Sequence, residues 1–219
     1  MSWVVMTVLA VVALIIGGRA RLTPGRFQTL LEMTVTFVYD FITETLESRK
    51  WARIFFPLLM TIFLFIATSN VLEFMPGIGS IGLFRGAEFV PLFRSVNTDL
   101  NVTLALAIIA VFSIEIAGIV AVGLFKYAGK FINVSSPLNF IVGIIELVSE
   151  LSRFVSFSFR LFGNIFAGEV LLAVAGFFVP YLLPVPLMSF ELFIGFVQAA
   201  VFALLTLFFI KLAIAPPSH

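Results

Sequence analysis

Apolar residues run along this chain in long stretches, while polar ones gather at the breaks or in one phased stripe. Ser2 to Gly18 is an uncharged apolar run of 17 residues, at the short end for crossing a bilayer. Arg19, Arg21 and Arg26 follow that run, the reverse of a signal peptide's order, so a retained helix is expected, with a cleaved start as the alternative. Thr23-Pro24 reads as an N-cap and first helical residue. Phe27, Leu30, Leu31, Phe37, Val38, Phe41, Ile42 and Leu46 then keep helical spacing, with Glu32, Asp40, Glu44 and Glu47 mostly between them. A segment so charged does not span; it predicts a helix lying in the membrane interface, or one packed on a soluble partner.

Ile54 to Leu72 is an apolar span of 19 residues with Pro57 in its first turn, where proline is tolerated. Met75 to Asn97 reads as a long turn-rich connection, and Leu100 to Phe125 as the next span, interrupted by Glu115. Pro137 opens a helix that, unbroken to about Phe178, is on the order of 60 Å long. The hydrocarbon layer is only ~30 Å thick, so this helix must tilt strongly. Pro180, Pro184 and Pro186 force a turn, Leu192 to Ile210 forms the core of the last helix, and a Pro-Pro tail is expected to be disordered.

Within the long helix Glu146, Glu150, Arg153, Ser156, Arg160 and Asn164 recur at steps of three or four, which places them on one stripe. Gly163 and Ala167 lie beside it, leaving a groove that a neighbouring helix can approach. Glu169 is nine residues from Arg160 and about half a turn away around the axis. Charges at membrane depth are costly and mark ion pathways or buried pairs. Arg153 is expected to pair with Glu150 or with lipid headgroups, and Ser156 and Ser158 to bond back to their own helix. Glu115 stays open between a channel-lining carboxylate and a helix–helix hydrogen bond.

Composition sharpens the class. The 219 residues are 61% hydrophobic and 11% charged, with mean hydropathy +1.18, against about 25% charged in soluble domains. The expectation is an all-α integral membrane protein with about five transmembrane helices, one interfacial amphipathic helix and a long tilted C-terminal hairpin. It forms one membrane domain, 1–219, made of 1–53, 54–130 and 137–214. There is no cysteine, and the one histidine is His219, so no disulfide, His-based metal site or catalytic triad is expected, and no cofactor. No basic cluster suggests nucleic acid. With the N-terminus outside, the cytoplasmic loops collect six, two and one Lys or Arg, leaving Arg85 and Arg94 outside, which satisfies the positive-inside bias. No internal repeat of the kind found in many secondary transporters is visible.

Ser158-Phe-Arg-Leu-Phe-Gly-Asn-Ile-Phe-Ala-Gly-Glu169 resembles subunit a of the F-type ATP synthase membrane sector. The likeness extends through Phe56-Pro57, Asn70 ahead of Pro76-Gly77, Asp99-Leu-Asn-Val-Thr-Leu-Ala-Leu106 and Gln198-Ala199. It implies a stator subunit of a proton-driven rotary motor, facing a ring of c subunits, held by peripheral-stalk b subunits and the rest of the complex, in an energy-transducing membrane, most simply the bacterial inner membrane. It implies no catalytic centre of its own, since ATP synthesis takes place on other subunits, and no phosphate loop is present. By position, Arg160 matches the family's stator arginine. Asn164, Glu169 and Gln198 match polar positions of proton access, and Glu146 and Ser149 positions near the cytoplasmic exit. Glu191 stands where some members carry histidine. Glu150, Ser156, Asp99, Asn101 and Glu115 are further possible half-channel lining. A guanidinium stays charged even when desolvated, so Arg160 suits an electrostatic gate.

A self-contained channel or transporter and a purely structural scaffold are the other classes. The first needs a complete pathway within one chain, and the second leaves the phased polar residues unexplained. Two helices folded about residue 180 pair positions summing to about 360. That expectation sets Glu169 beside Glu191, and Arg160 level with Gln198 and hydrogen-bonded to it.

Overall fold

Helices long and apolar enough to cross a membrane dominate the chain, because a bilayer leaves backbone groups no partner except within the helix itself. The computed structural model describes residues 1–18, 25–74, 82–85, 88–91, 95–131, 137–180 and 182–215. Along it run α1 (Ser2–Gly18), α2 (Arg26–Leu46), α3 (Arg49–Glu73), strands β1 (Gly82–Arg85) and β2 (Glu88–Pro91), α4 (Leu100–Val122), α5 (Leu124–Phe131), α6 (Pro137–Phe178) and α7 (Pro184–Ile214). Among the described residues α3, α4, α6 and α7 are membrane-spanning in length and composition, and α1 is a shorter apolar helix. The protein is an all-α multi-pass membrane protein whose one sheet among the described residues is the β1–β2 hairpin, paired antiparallel with Leu83 opposite Val90.

Packing centres on α7, which meets α2, α3, α4 and α6. Ala52, Phe55, Leu59, Ile62 and Ile66 form the buried seam of α3, at the three- and four-residue steps of helix packing. From α4, Leu106, Ala107, Ala110, Ile114 and Ala117 join the same buried cluster. Small side chains let backbones approach where lipid supplies no hydrophobic drive to associate. Phe202 of α7 is buried, with its ring 4.9 Å from that of Phe157 on α6. Gly195 marks the tightest α3–α7 crossing: a Cβ there would stand 2.9 Å from that of Asn70. Glycine lets the Asn70 amide donate to the Gly195 carbonyl at 2.8 Å, and Asn97 donates to Asn70 Oδ1 at 2.6 Å.

Several boundaries differ from expectation. Thr23 and Pro24 lie outside the described residues, and the N-cap of α2 is Gly25, in extended conformation. Pro57 sits inside α3, since the helix begins at Arg49 rather than near Ile54. The missing N–H of Pro57 leaves the Arg53 carbonyl without its helical donor at the interface. The third span ends at Val122, because Gly123 turns the backbone to φ 94° and starts the separate α5. The long helix does run unbroken from Pro137 to Phe178, roughly 63 Å at 1.5 Å per residue. Phe27, Leu30 and Phe37 of α2 stay exposed while Ile42 and Leu46 are buried, the pattern of a helix lying on a membrane. Lys211 at the end of α7 donates to Glu47 Oε1 at 2.9 Å and ties the last helix to the α2–α3 corner. The Pro-Pro tail lies outside the described residues.

Gly195→Ala is expected to force Asn70 off the Gly195 carbonyl and to destabilise the α3–α7 crossing by about 1–3 kcal/mol, as overpacking does. Thermal unfolding of the detergent-solubilised protein checks this. An unchanged midpoint contradicts the close approach.

Candidate functional site

The polar stripe of α6 meets α7 through a small set of contacts that fix the register of the hairpin. Asn164 Nδ2 donates to Gln198 Oε1 at 2.7 Å. A Cβ added at Gly168 would collide with the Glu191 carboxylate, so a glycine is what lets that carboxylate lie on the α6 backbone. These pairs sum to 362 and 359, and Phe157 with Phe202 to 359, the spacing expected for a fold near residue 180. The partner of Gln198 is nonetheless Asn164 and not Arg160. The Arg160 guanidinium instead donates to Ser156 Oγ, one turn back on its own helix, at 3.0 Å. Arg160 is exposed, and its side chain faces a space that it shares with Leu205 and Phe209 of α7. Gln198 is buried, and its Nε2 has no hydrogen-bond partner.

Two cavities flank this level. The larger, about 560 Å³, is lined by Ser149, Ser152, Arg153, Ser156 and Arg160 of α6, with Leu205 and Phe209 of α7. Arg153 holds Glu150 Oε2 at 2.7 Å and lies 4.0 Å over the Phe209 ring, so its charge is paired within the helix. The smaller, about 240 Å³, is lined by Asn164, Gly168, Glu191 and Glu73, the last brought in by the end of α3. Glu169 and Glu191 are close enough to interact, as expected, and Glu73 joins them within hydrogen-bonding reach of Glu169. Ser95 Oγ donates to the other side of this group, at 2.8 Å from Glu73 Oε2. Arg160 lines one cavity, Asn164 one turn further lines the other, and between them Phe157, Leu161, Ala199 and Phe202 are buried.

Other candidates fall elsewhere. Asp99 caps α4, accepting from the Asn101 backbone N–H at 2.9 Å and from its amide at 3.0 Å, and neither residue lines either of these cavities. Glu115 accepts from the Tyr127 hydroxyl at 2.9 Å, the helix–helix alternative. Glu146 lies outside the lining of the larger cavity although Ser149, three residues on, is part of it. Ser158 does not bond back to its helix: it is buried 3.4 Å from Thr103 Oγ1 on α4. Ser156 takes the Arg160 donor instead. Around Gly163 a Cβ would meet nothing within 4 Å among the described residues, so the groove beside Arg160 is open there. Glu73, Asn97 and Tyr127 did not stand out in the sequence, and Asn70 did so only as part of the family likeness. A carboxylate at the very end of a span, as Glu73 is, was the available sign.

Fold and site together define a membrane protein that carries a fixed cation and grouped carboxylates on facing helices. The chain belongs to the ATP synthase A chain family, whose model matches residues 1–211. It is 36% identical over 205 residues to ATP synthase subunit a of Campylobacter jejuni, covering 92% of this chain and 83% of that protein. Against ATP synthase subunit a of Campylobacter curvus it is 32% identical over 215 residues, covering 98% and 89%. Against ATP synthase subunit a 2 of a Bradyrhizobium species the figure is 34% over 220 residues, covering 97% and 86%. Membership places the chain in the membrane machinery of ATP synthesis and proton transport.

Paired cysteines test the register. Cysteines replacing Glu169 and Glu191, or Asn164 and Gln198, are expected to form disulfides on mild oxidation, whereas those replacing Arg160 and Glu191 are not. Gel mobility reads the outcome, and crosslinking of the last pair contradicts the hairpin geometry.

Proposed function

We propose that this chain is the stator that carries protons between the bilayer's two faces and a rotating ring of c subunits, coupling their flow to ATP synthesis elsewhere in the complex. The observation that carries the reading is the pair of cavities split at Arg160: one ends at the guanidinium, and the other begins one turn beyond it at Asn164. Two half-channels offset in this way cannot pass a proton straight through, so a carrier must move between them. Arg160 is exposed, beside a groove at Gly163 that no described residue fills, which suits a passing rotor helix better than a self-contained channel.

The charge pattern supports N-out, C-in topology in a bacterial inner membrane. The carboxylate cavity, near the turn between α6 and α7, is then the outer half-channel. The arginine cavity is the inner one. Glu73, Glu169 and Glu191 take up and pass protons from outside, and Asn164 and Gln198 close the inner limit of that route. Arg160 favours the ionised form of a rotor carboxylate opposite it, so the proton leaves there, and the same charge repels protons that would cross directly. Lysine cannot substitute, since an ammonium shifts its pKa readily when desolvated. Ser149, Ser152 and Ser156 line the way to the cytoplasm. The C-terminal hairpin, 137–214, thus carries translocation, while 1–53 and 54–130 brace it and offer surfaces to the peripheral-stalk b subunits.

Arg160→Ala and Arg160→Lys are expected to abolish ATP-driven proton pumping in inverted vesicles, a loss of at least about 100-fold, the scale of removing a buried electrostatic stabiliser, while the protein remains inserted. Near-normal pumping by Arg160→Ala contradicts the gate. Reconstituted alone the chain should conduct nothing, and with its c-ring it should pass protons. Conduction by the isolated chain favours a channel instead. For topology, a cysteine at Leu151 should be labelled from the cytoplasmic side and one at Leu182 from outside, and the reverse pattern overturns the orientation.

A further inference from the structure

The α4–α5 joint holds an acidic group that the half-channel reading does not use. Tyr127 of α5 is buried, with its ring in a socket that exists only because residue 118 is glycine: a Cβ there would run into the ring. Gly118 and Glu115 lie one turn apart on one face of α4. The ring therefore rests on the glycine while its hydroxyl donates to Glu115 Oε2 at 2.9 Å. The other oxygen, Oε1, is buried with no hydrogen-bond partner among the described residues. A neutral acceptor such as glutamine would serve the Tyr127 hydroxyl equally well, so the hydrogen bond by itself does not call for a carboxylate here.

From α6, Glu150 and Arg153 lie close enough to bear on the Tyr127 hydroxyl. Burial first, then its bond to Glu115, pushes that phenol above its ordinary value, so it remains a neutral donor. Glu146 lies one turn from Glu150 on the same helix, and Lys126 of α5 is exposed. From α7, which also packs on α4, Phe209 lies under Arg153, Lys211 is engaged by Glu47, and Glu191 belongs to the carboxylate cavity. Glu115, Glu150 and Arg153 sum to a formal charge of −1 behind the cavity that also exposes Arg160. Of the charged residues that line that cavity, Arg153 is paired with Glu150, which leaves Arg160 as the lining charge that Glu115 would offset.

We propose that Glu115, held in place by Tyr127, is a positioning residue for proton exchange through the arginine cavity: its fixed negative charge beside the Glu150–Arg153 pair draws protons into a passage that Arg160 would otherwise keep positive. A cleft lined by one sign of charge raises the local concentration of the opposite ion. The inference rests on the proposal that this cavity is the inner half-channel.

The test uses the intact complex in inverted vesicles, whose outer face is cytoplasmic, so the pH of the medium sets proton supply to this cavity. ATP-driven pumping is measured against medium pH and normalised to ATP hydrolysis in the presence of a protonophore. Glu115→Gln is expected to leave pumping near wild type at acidic pH and to move its alkaline limb down by roughly one pH unit, the effect of a unit charge ~10 Å away at an effective dielectric constant of about 20. Glu115→Asp restores the charge and most of that limb. Tyr127→Phe keeps the ring in its socket and removes the hydroxyl, and it is expected to shift the limb in the same direction; it decides the matter if Glu115→Gln does not assemble. An unmoved limb, or a loss uniform across pH as a purely structural role would give, overturns the proposal. Alkylation of a cysteine at Ser149 separates the two readings. If it leaves pumping intact, the cavity is not the inner path. If it blocks pumping while Glu115→Gln moves nothing, only the role of Glu115 fails.

Discussion

A carboxylate laid against a glycine sets the geometry on which the rest of this protein depends. Glu191 of α7 occupies the space where Gly168 of α6 has no side chain, and one helical turn away Asn164 donates to Gln198. In hydrocarbon, polar groups without partners are costly, so these contacts admit few alternative registers. With the register set, the acidic and basic parts of the hairpin are forced into different places. Glu191 and Glu73 line one cavity, and Arg160 lines the other.

The remaining helices hold that hairpin by the same means. Asn70 reaches from α3 to the Gly195 carbonyl, and Asn97 fixes Asn70 in turn. Gly195 is three residues from Gln198 and four from Glu191, so the α3–α7 crossing steadies the stretch of α7 that presents both. Glycines at 118, 168 and 195 each admit a polar side chain from a neighbouring helix: Tyr127, Glu191 and Asn70. Small residues in membrane bundles are usually read as places for backbones to meet. Here they also make room for the few polar groups that the bilayer tolerates.

Arg160 stands apart from this pattern. Its contact within the chain is Ser156 on its own helix, and its face carries the open groove at Gly163. Arg153, seven residues away and so on nearly the same face, is by contrast tied to Glu150 and stacked on Phe209. Two arginines on one stripe thus differ in what surrounds them: one is paired with a carboxylate, and the other is held by a serine hydroxyl.

Local chemistry settled much of this protein before folding is considered. Apolar runs bounded by charges specified the spans, and Pro137 and the prolines near 180 marked the limits of the long helix, since proline is best accommodated in the first turn of a helix. The three- and four-residue phasing of Glu150, Arg153, Ser156, Arg160 and Asn164 placed them on one stripe, as it must in any helix. Hairpin arithmetic even put Glu169 beside Glu191. Which side chains then touch was a different matter. Gln198 binds Asn164 instead of Arg160, a displacement of one turn that no spacing rule resolves. Glu73 enters the acidic group and Tyr127 reaches Glu115 because α3 and α5 dock where glycines on α7 and α4 leave room. Such contacts depend on distances between helices remote in sequence, and these are decided only when the whole bundle packs.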